Sequence, residues 1–149
     1  RSLLGTVPEE LNPNGIISKL KFDWAKPTIW PNKSVAILAF GTVEEWSPKN
    51  ETKGGIGGSE EAIINLSREL KHLGWKVTVY TNTGPDNGMY DGVDWKMWTE
   101  FNGKDEFDAL VLWRHPGLVE YNLKARKVLF DIHDVPQYGD RRRVSRAER

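Results

Sequence analysis

The residues best suited to chemistry lie in Gly54-Gly55-Ile56-Gly57-Gly58-Ser59-Glu60-Glu61. Four glycines in five positions let the backbone take conformations closed to other residues and keep side chains away from a ligand. The pattern that follows is helical, so unpaired N–H groups and the positive end of a helix dipole stand behind the glycines. Such a loop can seat a phosphate or another anion. It can equally be a glycine-assisted helix start with no ligand. Three further polar groups end predicted strands: Asn82, Arg114-His115 and His133-Asp134.

Known chemical motifs fit these residues poorly. Gly55-Ile56-Gly57-Gly58-Ser59-Glu60 starts like a dinucleotide fingerprint but places Glu60 at the last glycine. Thirteen residues separate Phe40 from Gly54, and Thr81-Asn82 stands where an acidic ribose partner belongs. No Gly-Lys-Ser/Thr follows the glycines, which excludes a Walker A loop, and Ser59 lacks the second glycine of a nucleophile elbow. Ser59 reads instead as a helix N-cap. His133 and Asp134 are adjacent, His115 has no helical partner histidine, and no metal site is expected.

Elements at fixed places must position these groups. Ser34 to Phe40 is a continuous apolar run, the mark of a strand buried on both faces. Ala62, Ile63, Leu66, Leu70 and Leu73 recur at helical spacing up to Gly74, a C′ glycine, with His72 as a capping or surface residue. Further strands are predicted at Trp75–Thr81, Val93–Trp98, Phe107–Trp113 and Lys127–Ile132. Asn82 to Gly92 reads as turns, with a helical turn expected in Phe101–Glu106 and a short helix in Leu118–Asn122. Strands separated by helices or long connections predict an α/β fold: an open, mostly parallel Rossmann-like sheet with helices on both faces. Such sheets bind ligands at the carboxyl ends of their strands, which gathers the glycine loop, Asn82, Arg114-His115 and His133-Asp134 along one edge.

Composition narrows the functional classes. The chain has 149 residues, enough for one domain with its own core. Lys+Arg and Asp+Glu both total 21, which argues against a nucleic-acid binder. Cysteine is absent, so disulfides and thiolate chemistry are excluded, and a cytoplasmic location is expected. No run is apolar enough for a membrane span, and contact with a membrane surface is left open. The Asn-x-Ser/Thr sequons at Asn32, Asn50 and Asn65 read as chance matches. Of the tryptophans, Trp95, Trp98 and Trp113 are expected in the core. Trp24, Trp30 and Trp46 are expected as lids or as a surface for a partner.

Gly54 to Tyr80 resembles the first β-α-β unit of retaining nucleotide-sugar glycosyltransferases of the two-domain (GT-B) kind, group 1/family 4, in which a glycine pair opens a leucine-faced helix that leads to Gly-His/Trp-x-Val-x-Val, here Gly74-Trp-Lys-Val-Thr-Val79. Val128-Leu-Phe-Asp-Ile-His-Asp-Val-Pro136 is similar to that family's later strand ending in His-Asp. The resemblance implies an amino-terminal, acceptor-side domain over residues 34–137, preceded by an irregular arm or linker at 1–33 and followed by a basic tail at 138–149. By position, it implies that Gly57 and Gly58 lie against the donor diphosphate and that Glu60 faces the acceptor. His133 would approach the transferred sugar, with Asp134 beside it. Arg114 and His115 would line the acceptor side. No cofactor is implied beyond the nucleotide-sugar co-substrate. The partner substrate is a glycan or other acceptor. The family holds its nucleotide mainly in a second, carboxy-terminal domain, so the chain reads as a fragment with little transfer activity alone. The other readings are a non-catalytic module that binds a sugar, nucleotide or protein, and a domain that self-associates.

Overall fold

The computed structural model describes residues 26–40, 42, 44–51, 55–114, 117–118 and 123–131. Among them, β1 (Ser34–Leu38) is buried at every position, as its unbroken apolar run requires. Two helices follow, α1 (Pro48–Glu51) and α2 (Gly58–His72). Then come β2 (Lys76–Thr81), the short β3 (Gly88–Tyr90), β4 (Val93–Met97), a 3-10 turn at Trp98–Glu100, β5 (Glu106–Trp113) and β6 (Lys124–Asp131).

The six strands form one sheet in the order β3-β4-β2-β1-β5-β6. Every pairing is parallel except β3 with β4. The chain steps outward from β1 to β2 to β4, then returns to the other side of β1 for β5 and β6. The order therefore reverses between β1 and β5, where Leu38 stands level with both Tyr80 and Leu112.

Period-two alternation divides the side chains between two cores. Val35 and Ile37 of β1, Val77 and Val79 of β2, and Val111 and Trp113 of β5 face Ile63 and Ile64 of α2. Ala36, Leu38, Tyr80, Leu110 and Leu112 enter the second core. Its cover is aromatic: Trp30 stacks on Phe107 at 5.3 Å, and Phe101 meets the Tyr80 ring at 5.2 Å. Helices on both faces were expected, but among the described residues the α2 helix packs on the first face only. The returning connections carry Phe101 and Leu118 to the second face, the side that right-handed crossovers demand.

Several expectations are corrected. Trp46 is not a surface lid: it is 4% exposed and packs edge-on against Trp95 at 5.6 Å and beside Trp113 at 6.0 Å. Trp98, expected in the core, is 45% exposed because β4 ends one residue earlier. The turn-rich stretch before β4 contains β3, joined by Asp91 (φ 52°) and Gly92 (φ 76°), the two left-handed residues of a type I′ hairpin. Gly88-Met89-Tyr90 lacks apolar alternation, so periodicity missed this strand. The helical turn lies at Trp98–Glu100, not after Phe101. β6 begins at Lys124 rather than Lys127, because an exposed edge strand needs no apolar residues at its start. The arm is built onto the domain from Lys26 onward. Ile29 bridges Glu106 in parallel, the Thr28 amide donates to Asp105, and Trp30 is half-buried. The expected element around Ile16 to Phe22 and Trp24 lie outside the described residues, as does most of the short helix expected at Leu118–Asn122.

Candidate functional site

The start of α2 sits at the order reversal because β1 is central and the β1–α2 connection leaves from its carboxyl end. Gly57, extended at φ −66° and ψ 151°, is the N-cap, and its carbonyl accepts the Glu61 amide at 3.0 Å. Ser59 was expected at that position. It lies instead inside the first turn, where its hydroxyl donates to Glu60 Oε2 at 2.8 Å. The helix ends as its sequence requires. Gly74 takes φ 84°, its amide bonds the Lys71 carbonyl, and Trp75 reaches back to Leu70, which closes a Schellman motif.

Arg114 reaches this turn from the far side of the reversal. It follows the last residue of β5 with φ 57°, and its amide donates to the Asp131 carbonyl of β6 at 3.0 Å. Its guanidinium lies 5.1 Å from the Trp113 ring centroid and donates to Ser59 Oγ at 3.4 Å. The structure thus brings Arg114 to the first turn of α2, the turn that Gly57, Gly58 and Glu60 open. His115, His133 and Asp134 lie outside the described residues. Asn82 serves the scaffold, its carbonyl accepting the Trp46 amide at 2.9 Å.

A cavity of about 210 Å³ opens beside the glycines, lined by Thr42, Glu44, Glu45, Asn50, Gly57 and Glu60 among others. The Glu60 carboxylate folds over Gly57, filling the space that a Cβ there would need. Glu45 lies in the same way over Gly84, a φ 54° residue of the β2–β3 loop. These glycines admit carboxylates to the backbone, so the cavity is rich in hydrogen-bond acceptors. Reading the chain by element had left Glu44, Glu45 and Asn50 out of the site. Their signal is the polar character of residues 41–53, between β1 and the glycines, which Trp46 anchors.

The α1 wall is set by polar contacts. The Ser47 amide and hydroxyl both donate to Asn50 Oδ1, at 2.9 and 3.0 Å, and Pro48 opens the helix. Arg68 of α2 grips Glu51 with both terminal nitrogens, at 2.9 and 2.7 Å, and donates from Nε to Asp91 at 2.8 Å. The Arg68 hydrogen bonds hold the Glu51 carboxyl below its ordinary value. The Arg68 guanidinium is in turn pushed up, first by its bond to Glu51. Lys49 pairs with Asp86 at 2.7 Å, which ties α1 to the β2–β3 loop.

Among the described residues no cluster of three or more His, Asp or Glu is placed to hold a metal ion. None of their helices is long and apolar enough to cross a membrane. Comparison with family models, curated proteins and solved structures returns no match.

Proposed function

We propose that the chain is a Rossmann-like, acceptor-side domain of a glycosyltransferase that moves a sugar from a nucleotide-sugar donor. The observation that carries this reading is the contact of Arg114 with Ser59 across the β1/β5 reversal, which joins the first turn of α2 to the end of β5. Ligands of open parallel sheets bind at this point. In strand order the parallel members run third, second, first, fourth, fifth, the doubly wound arrangement.

In the proposed chemistry the amides at Gly57 and Gly58 face the donor diphosphate, and the helix dipole offsets negative charge on the departing nucleoside diphosphate. Arg114 adds a positive group at the same turn. Glu60, with Glu44 and Glu45, accepts hydrogen bonds from the hydroxyls of a neutral acceptor. His133 approaches the transferred sugar, with Asp134 beside it and His115 on the acceptor side. No cofactor is required.

The acidic cavity also supports a second reading, a non-catalytic module that binds a glycan or protein. Three carboxylates repel phosphate but suit hydroxyl and amide donors. Titration with nucleoside diphosphate sugars, read through tryptophan fluorescence, separates the two. A donor response weakened about tenfold by Arg114→Ala is expected, the loss of one charge-assisted contact. No donor response, together with tight binding of a glycan or protein, would favour the module.

A further inference from the structure

On the α2 face, the half of the sheet built from β5 and β6 carries no helix among the described residues. Phe101 and Leu118, described residues of the two connections to these strands, pack on the other face. What is left is a groove of about 400 Å³ with Val35, Ala109 and Val111 on its floor. Leu66 and Leu70 of α2 form one wall and Leu129 of β6 the other. Parallel strands are ordinarily covered on both faces, so this surface calls for an occupant.

The ridge beside the groove has the complementary form. Leu66 of α2 and Leu73, the C-cap residue seven positions on, are 38% and 67% exposed, and Leu129 across the groove is 56% exposed. Charged residues of both signs border this surface, with Asp131 on the strand side and Lys71 and His72 on the helix side. Glu69, on the α2 side between the two leucines in sequence, has a side chain 73% exposed. Lys127 is exposed on the strand side, in register with Ala109 and so on the same sheet face.

We propose that the occupant is a second copy of this chain. A ridge and a groove side by side on one surface are self-complementary under a two-fold axis, the condition for an isologous dimer. The operation lays each copy's Leu66–Leu73 ridge into the other's groove. It also brings Glu69 of each copy toward the other's Lys127 rim, opposite charges meeting twice. Ridge and groove lie outside the Arg114–Ser59 crevice, so the dimer stands independently of the proposed activity.

Sedimentation velocity on the 149-residue chain over a concentration series tests the proposal. A reversible monomer–dimer equilibrium is expected. Leu73→Glu combined with Leu129→Glu should raise its dissociation constant at least about tenfold, since each change drives a charge into the apolar contact. Lys127→Glu alters only the exposed rim and tests the same contact without touching the leucines. It should weaken the dimer, and adding Glu69→Lys should restore it. A chain that stays monomeric at every concentration overturns the proposal. So does a dimer that the leucine pair leaves unchanged, or a double charge reversal that restores nothing.

Discussion

Thr81 ends β2 fully buried, and among the described residues its hydroxyl has no hydrogen-bond partner. A buried, unsatisfied hydroxyl costs folding energy that an apolar group of the same shape does not. Thr81→Val keeps the β-branched shape that suits a strand. It is expected to stabilise the protein by about 1 kcal/mol, measured as a higher urea midpoint at unchanged slope. Trp46 shows the opposite use of a single residue. Its ring joins the core while its indole N–H donates to Thr42 at 3.2 Å, and in this way it fastens an otherwise polar loop beside the cavity. Glu60 bears on function at the same scale. Its carboxylate occupies the space above Gly57, so a bound diphosphate would have to displace it or share the turn with it.

The elements around the site are joined by Arg68 more than by apolar burial. Pro48 alone of the α1 residues is buried, yet Arg68 fixes α1 to α2 and to the β3–β4 hairpin through Glu51 and Asp91. Arg68→Met keeps the aliphatic stem and removes the fork. A loss of about 1–2 kcal/mol is expected for a partly exposed pair. The pH dependence identifies its origin. The folded pKa of Glu51 lies below its ordinary 4.5, so the contribution is fully present above that value and is lost as pH falls through the lowered one. The stability difference between wild type and Arg68→Met should therefore be constant near neutrality and shrink in acid. A difference that persists unchanged in acid would assign the effect to packing instead.

At the scale of the molecule, two cores on either side of one sheet differ in what covers them. The α2 face uses aliphatic side chains with Trp46, Trp75, Trp95 and Trp113, whereas the second face relies on Tyr80, Phe101, Phe107 and Trp30. Tyr80 is 2% exposed, and burial, with Asp105, Asp94 and Glu100 nearby, holds its phenol well above the ordinary value of 10.0. The fold thus favours the neutral phenol. Its contribution is complete below pH 10.0 and declines as the pH rises further, because the unfolded chain ionises first. Thermal melts on either side of pH 10.0 should show wild type losing more stability than Tyr80→Phe. Equal losses would mean that the second core opens without exposing this ring.

The amino-acid sequence by itself determined the elements whose burial or caps are local. The apolar run of β1, the existence and Gly74 end of α2, and the parallel β1-α2-β2 unit all follow from periodicity and backbone stereochemistry, although the side of α2 that is buried carries Ile63, Ile64 and Ser67 while Leu66 and Leu73 of the leucine stripe stay exposed. It also put Gly57, Gly58 and Glu60 at the start of α2 and Arg114 just past the end of β5. The tertiary structure alone decided the rest. Trp46 lies in a polar loop, and only its contacts with Trp95 and Trp113, remote in the chain, make it core. β3 exists because the Asp91-Gly92 turn folds it onto β4, and β6 extends back to Lys124 because β5 offers it a ladder. The carboxylate-lined cavity and the groove beside α2, which no helix covers among the described residues, depend in the same way on where connections run. Local pattern records what a residue prefers, but which distant surface it meets is set by the order of strands in the sheet.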